Sequence, residues 1–202
     1  MQIIIIRHLP TEWNKSSLLQ GSKDIPIEKD AISAYQDSIK ANLERIKQEE
    51  PFDAVLVSSL CRTKQTARAY GFRNPVIEPL MDELNFGRFE ARPKRELVSF
   101  HGDKWVNDPR DLVLGESLIE FENRIIAFLN KWKNHERLLL FGHGSWMRAL
   151  ISIQQHGTLS YMNQFEIANN ELKEIELFLS PTGRWNKKLS VINQTYKVND
   201  VR

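Results

Sequence analysis

The chain is poor in the features that most quickly betray a protein's class. One cysteine, Cys61, stands among 202 residues, so no disulfide can close within the chain and a cysteine-rich metal site has no ligands. A reducing compartment is compatible with that usage. The Cys-x5-Arg spacing that cradles phosphate around a thiolate is also missing. The sixth residue after Cys61 is Ala67, and arginine arrives one position late, at Arg68. Cys61 is therefore expected to be a small buried or half-buried residue. The chain has no HxxxH or HExxH pattern and no carboxylates clustered at ligand spacing, so no metal is expected.

Long apolar runs are missing too. No stretch approaches the roughly 20 apolar residues that span a bilayer, and no basic region with a signal-length apolar core opens the chain. No membrane partner is expected, and the cytoplasm is the default location. Charge of one sign is not in excess. A net charge of +2 is too small to argue for a nucleic-acid partner. Repeats, low-complexity tracts and linkers are absent, and oligomeric state leaves no mark in the sequence. With 41% hydrophobic and 27% charged residues, the composition suits one good core, and residues 1–202 read as a single domain.

What is present begins at Ile3. Four consecutive isoleucines, Ile3 to Ile6, are β-branched and apolar, as a strand buried on both faces requires. The run stops at Arg7-His8, and Pro10 bars simple continuation because it has no N–H to donate. A cation and an imidazole thus sit where a buried strand becomes a loop, the place where open α/β sheets bind ligands. After a polar loop, residues 30–49 read as one helix with an apolar stripe of Ile32, Tyr35, Ile39, Leu43 and Ile46, ended by Pro51. Residues 54–57 form a second buried strand. It runs into Ser58-Ser59, good helix-capping residues, and a helix over about 60–70 whose amino terminus could hold an anion. Residues 75–79 are short and extended. Residues 82–114 form an irregular excursion with one short helix near 94–100. A long helix spans 117–134, with Leu118, Phe121, Ile125, Phe128, Leu129 and Trp132 on its apolar face. Residues 138–141 make a third buried strand, followed by Gly142-His143-Gly144-Ser145 and a helix to about Gln155. Shorter alternating runs at 173–179 and 188–192 read as strands on a sheet edge. The order argues α/β layers.

The polar residues that follow the three buried strands carry the chemistry. The first strand delivers Arg7 and His8, the second Ser58, Ser59 and, one turn on, Arg62, and the third His143. Glu83 lies between them in sequence. Cationic groups on three strand ends suit a dianion such as phosphate, since arginine's planar fork can bind two oxygens at once. Asn14 and Gln20 could add neutral donors. A histidine nitrogen can attack phosphorus, and a nearby carboxyl can protonate the leaving oxygen and later deprotonate water. Gly142 and Gly144 allow close approach of a ligand to His143.

These residues fall into blocks that resemble the histidine phosphatase superfamily, also called phosphoglycerate mutase-like. Its opening Arg-His-Gly with a later Thr and Asn is similar to Arg7-His8-Leu9 with Thr11 and Asn14. Gln20-Gly21 and Asp24-Ile25-Pro26 resemble the following loop. Ser58 to Ala67, with Arg62, resembles the Ser-x-Leu-x-Arg-x-x-x-Thr-Ala block. Met81 to Gly87, with Glu83, resembles the acid block, and Gly142 to Gly144, with Arg148 beyond, resembles the Gly-His-Gly block. The resemblance implies a three-layer α/β/α sandwich with a mostly parallel central sheet and a small irregular lid insertion at about 84–115. It implies His8 as the phosphorylated nucleophile and Glu83 as proton donor. Arg7, Arg62 and His143, with Gly144 beside them, would hold the phosphoryl group, and Asn14 and Gln20 would be accessory contacts. No cofactor is implied, because arginines supply the charge that magnesium supplies elsewhere.

Leu9, Ala31 and Ala91 depart from the family, which places glycine at each position. A positive φ at Leu9 would be strained. The excursion carries Arg88, Arg92, Lys94, Arg95, Lys104 and Arg110 among Phe86, Phe89, Phe100 and Trp105. It is either a lid that selects substrate by charge and ring contacts or a solvated surface with aromatic packing. The expected activity is phosphomonoester hydrolysis of a small phosphorylated metabolite through a phosphohistidine. The alternatives are a bisphosphoglycerate-dependent phosphoglycerate mutase, and a phosphate- or phosphoprotein-binding module without turnover.

Overall fold

The computed structural model describes residues 1–180, 183 and 185–187. The strand expected at 188–192 lies outside the described residues. Six strands form one sheet: β1 (Gln2–Arg7), β2 (Ala54–Val57), β3 (Val76–Ile77), β4 (Arg137–Gly142), β5 (Leu172–Leu179) and β6 (Trp185–Lys187). Their order is β3-β2-β4-β1-β5-β6. β1, β2, β3 and β4 run parallel, and β5 and β6 are added antiparallel. The mixed α/β architecture with helices on both faces is the one the sequence implied.

The isoleucine run explains the layers. Side chains alternate across a strand. Ile3 and Ile5 pack with Leu138, Leu140, Phe121, Phe128 and Trp146 on one face. Ile4 and Ile6 pack with Leu139, Phe141, Ile39, Ile46 and Ala67 on the other. The first face is covered by α5 (Lys94–Asn107), α6 (Leu118–Trp132) and α7 (Gly144–His156). The second is covered by α2 (Ala31–Ala34), α3 (Gln36–Glu49) and α4 (Cys61–Ala69). A four-residue helix, α1 (Glu12–Lys15), follows the first strand and is closed by a capping box between Thr11 and Asn14.

Three local readings need correction. The helix expected over 30–49 is broken at Tyr35, whose φ and ψ of −106° and 13° end α2 and open α3. The break turns Ile32 to solvent, out of the expected stripe. Ser58 and Ser59 do not cap α4. Leu60 is its N-cap residue and provides no side-chain bond. Instead, Asp24 Oδ1 accepts from Cys61 N–H at 2.6 Å and Asp82 Oδ1 from Ser59 N–H at 2.7 Å. A carboxylate from a distant loop thus takes the first N–H of α4. Third, the short helix expected near 94–100 is followed by a second helical piece that ends at Asn107; the two, together labelled α5, meet at a kink at Gly102 (φ 55°, ψ −139°), a non-helical conformation that glycine tolerates.

Candidate active site

Because β1, β2 and β4 are parallel, their carboxyl ends lie along one edge of the sheet. Arg7 pairs with Gly142, and both Val57 and Ile6 lie beside Phe141. The residues that follow, His8, Ser58 and His143, therefore come together. A cavity of about 710 Å³ opens at this edge. Of the residues singled out in the sequence, Arg7, His8, Asn14, Gln20, Arg62, Glu83 and Gly144 line it. His143 does not line it, but its ring meets that of His8 edge-on, with centroids 5.3 Å apart.

His8 is buried, and its Nδ1 lies 2.7 Å from the carbonyl oxygen of Leu9. A carbonyl only accepts, so Nδ1 carries the proton and Nε2 holds the lone pair. Burial, and then the charges of Arg62 and Arg7, push this imidazole well below its ordinary range. The ring is neutral, as a nucleophile must be. Leu9 does not disturb the loop. Its φ is not positive, its side chain is fully buried, and its N–H donates to Thr66 Oγ1 at 2.9 Å.

Arg7 ends β1 beside the backbone of Gly144. A Cβ at Gly144 would lie 3.3 Å from Arg7 Nε, so the glycine leaves the room that the guanidinium occupies. Arg7 Nη1 donates to the carbonyl of Ile167, and its buried Nε has no hydrogen-bond partner among the described residues. Arg62 is 1% exposed and is oriented by three acceptors: Lys23 O at 2.7 Å, Gly21 O at 2.9 Å and His143 Nδ1 at 3.2 Å. The Gln20–Pro26 loop is thus tied to α4 through both Arg62 and Asp24. Burial lowers both guanidinium groups from their usual range, and the nearby Glu83 charge opposes the shift. Both stay cationic.

His143 has a fixed tautomer. Arg62 Nε–H can only donate, so His143 Nδ1 accepts and Nε2–H donates to Ser58 Oγ at 2.7 Å. Ser58 Oγ lies in turn 2.9 Å from Thr63 Oγ1. Burial and the facing charges of Arg62, His8, Arg7 and Arg124 hold this ring well below its ordinary range.

Glu83 is positioned by backbone donors. Oε1 accepts from Leu84 N–H at 2.9 Å and Trp146 N–H at 3.1 Å, and Oε2 accepts from Ser145 N–H at 3.1 Å. Two of these are orphan donors of the first turn of α7, the favoured place for a carboxylate. The nearby acids have other partners. Asp82 bonds Ser59, Glu90 bonds Ser22, and Glu78 bonds Trp132 and pairs with Lys131. Of these four carboxyl groups, only Glu83 lines the cavity.

The accessory groups are polar and underused. Asn14 Oδ1 accepts from Thr11 N–H at 3.0 Å. Gln20 is buried, and its Oε1 has no hydrogen-bond partner among the described residues. Of the excursion's cations, Lys94 alone reaches the cavity, with Phe86 and Trp105. Arg88 lies over the rings of Phe100 and Phe89, Arg92 pairs with Glu96, and Arg110 pairs with Glu122. Sequence reasoning gave no role to Arg148, Asn169 or Glu166, which also line the cavity. Asn169 Nδ2 donates to His8 O at 2.9 Å, and Asn170 N–H donates to Arg7 O. The chain segment before β5 therefore pins the end of β1. The only hint in the sequence was a pair of asparagines just ahead of a strand. No helix among the described residues is long and apolar enough to cross a membrane.

Comparison with known proteins gives this geometry its family. The sequence profile of the histidine phosphatase superfamily (branch 1) matches residues 3–186. A Proteus mirabilis protein named "probable phosphoglycerate mutase GpmB" is 32% identical over 164 residues, which cover 75% of this chain and 74% of that protein. The adenosylcobalamin/alpha-ribazole phosphatase of Escherichia coli K12 is 29% identical over 163 residues, covering 75% and 78%. Among solved structures, the alpha-ribazole phosphatase of Shigella flexneri superposes with a TM-score of 0.69 at 25% identity, over 88% of this chain and 91% of that one. The mycobacterial glucosyl-3-phosphoglycerate phosphatase shares the fold, with a TM-score of 0.73 at 16% identity over 91% and 95%. The profile and the relatives agree with the residues at the strand ends: the chain belongs to the histidine phosphatase superfamily.

Proposed function

We propose that the protein is a phosphomonoester phosphatase that acts on a small phosphorylated metabolite through a phosphohistidine at His8. The observation that carries this reading is the fixed tautomer of His8. Leu9 O holds the Nδ1 proton, so the Nε2 lone pair is free beside Arg7 and Arg62.

In the first step Nε2 attacks phosphorus in line. The P–N bond forms as the P–O ester bond breaks, and the Glu83 carboxyl gives its proton to the departing oxygen. Nδ1–H stays on Leu9 O and spreads the ring's positive charge. Arg7 and Arg62 neutralise the equatorial oxygens, whose charge does not fall on the way to the transition state. In the second step the Glu83 carboxylate takes a proton from water, the oxygen attacks phosphorus and the P–N bond breaks. Phosphate leaves, and both His8 and Glu83 return to their starting states. Asn14 and Gln20 offer neutral contacts, and the residue 84–115 insertion acts as a lid through Phe86, Lys94 and Trp105. His143, whose Nδ1 accepts from Arg62 Nε–H, serves the phosphoryl group by orienting that guanidinium.

The relatives named alpha-ribazole phosphatase support hydrolysis. Those named phosphoglycerate mutase favour a second reading, mutase turnover, which requires a priming bisphosphate. The unstrained Leu9 loop speaks against a binding module that has lost turnover. Assay of p-nitrophenyl phosphate hydrolysis with excess chelator, for wild type and His8→Ala, tests the reading. Activity that survives the chelator and disappears in the variant supports it. Equal background from both proteins refutes it.

A further inference from the structure

Just beyond Arg7 the sheet stops serving β1 on one side. Toward β4, His8 N–H still donates to Gly142 O. Toward β5, the register ends at Ile6 and Leu172, and two further backbone bonds follow: Arg7 N–H to Glu171 O, and Asn170 N–H to Arg7 O. Asn170 then holds φ at 61°, a left-handed conformation that asparagine tolerates better than most residues. Followed back from β5, the chain turns away at this point, and among the described residues no backbone N–H reaches His8 O. The side chain of Asn169 takes that place. Its Nδ2 donates to His8 O at 2.9 Å and lies 3.5 Å from Asn14 Oδ1. A backbone carbonyl can only accept, so the amide cannot be turned the other way round.

His8 O belongs to the peptide that joins His8 to Leu9. The N–H of the same peptide, on Leu9, donates to Thr66 Oγ1 at 2.9 Å. Thr66 is fully buried and gives its own hydroxyl proton to Arg62 O at 2.7 Å, which leaves its oxygen to accept from Leu9. One planar, rigid unit is thus gripped from both sides. That unit leads directly to Leu9 O, the acceptor 2.7 Å from His8 Nδ1. Rotation of the peptide would carry Leu9 O away from Nδ1. The ring would then be free to place its proton on Nε2, the atom that has to attack.

We propose that Asn169 is a positioning residue: its amide, opposite Thr66, fixes the peptide between His8 and Leu9 and so sets the tautomer and aim of the His8 ring. Asn169 acts through His8. The inference rests on the phosphohistidine reading of this cavity for its effect on rate, and on the hydrogen bonds alone for its effect on the ring.

Histidine-selective nitrogen NMR reads the tautomer of each ring, and His8→Ala assigns the His8 signals. Wild type is expected to show a protonated Nδ1 and a bare Nε2 at His8. Asn169→Ala removes the donor. Asn169→Asp keeps the size and shape of the side chain, so packing is preserved, but sets a carboxylate oxygen against a carbonyl oxygen. In both variants the His8 signals move toward a mixture of tautomers. In both, kcat for p-nitrophenyl phosphate falls about tenfold or more while KM changes little, because the aim of the nucleophile acts on the chemical step and not on ground-state binding. A His8 tautomer unchanged in either variant overturns the proposal, even where kcat falls, since Asn169 would then act on the substrate or on the architecture alone. A changed tautomer with an unaltered kcat overturns it too, and so does a wild-type ring that is already a mixture. Turnover of p-nitrophenyl phosphate by wild type reports the phosphatase reading separately, since the NMR comparison needs no turnover.

Discussion

At the scale of single residues, the site depends on which nitrogen of each histidine carries a proton. His8 presents Nε2 because Leu9 O holds Nδ1–H, and His143 accepts at Nδ1 because Ser58 takes its Nε2–H. Both rings lie well below the ordinary imidazole range because of burial and flanking arginines. The neutral, nucleophilic form of His8 therefore persists as pH falls through about 6.5, where a free histidine would protonate. A profile of kcat/KM against pH is expected to show no acidic limb at that value, the loss coming only at lower pH. A limb at the free-histidine value would contradict the assignment. Ser58→Ala leaves the buried Nε2–H of His143 without an acceptor, at a cost of about 1–3 kcal/mol. Urea denaturation is expected to show that loss, with a fall in kcat, and a change within error would show that Ser58 does not hold the ring. Arg7, His8, Arg62 and Glu83 could be read from the sequence because each follows a strand or sits in an ordered block. Arg148 could not. In sequence it is a helix arginine like Arg68 or Arg124, and only the turn of α7 directs it to the cavity.

At the scale of elements, legibility tracks burial. β1, β2 and β4 were readable because their residues are β-branched or apolar and buried in the sheet centre. α6 was readable from its apolar stripe, and the structure adds a capping box between Ser117 and Glu120. The helical piece of α5 beyond the kink at Gly102 was not, because Trp105 is its one buried residue and no apolar stripe marks it. The Tyr35 break was hidden for the opposite reason. Ile32 continues the spacing of the stripe although it faces solvent. Ala91 shows what a departure from the family costs. It holds φ at 63°, in the left-handed region, where a Cβ is disfavoured by about 1–2 kcal/mol. Ala91→Gly relieves that strain and gives back part of it as unfolded-chain entropy. The expected outcome is a stabilisation of about 0.5–1 kcal/mol by thermal or urea unfolding. A loss of stability would show that the local backbone is not strained.

At the scale of the whole molecule, four parallel strands collect cations from β1, α4 and α7 at one edge of the sheet, and the segments after β1 and before β5 close the cavity there. Buried guanidinium atoms without partners oppose folding, so a dianion that enters should stabilise the native state by linkage. Inorganic phosphate or vanadate at about 100 times its Kd is expected to add about 2.7 kcal/mol and raise Tm by several degrees. Sulfate-free scans with and without the ligand measure this, and an unchanged Tm would mean that the cavity does not hold the dianion. The central claim, a covalent bond between phosphorus and the ring of His8, has a more direct test. Wild type is mixed with a radiolabelled phosphomonoester, quenched in base within milliseconds and digested for peptide mapping. The account predicts an acid-labile, base-stable label on the peptide that contains His8, absent from His8→Ala. Rapid turnover with no such label, or a label on any other residue, would contradict it.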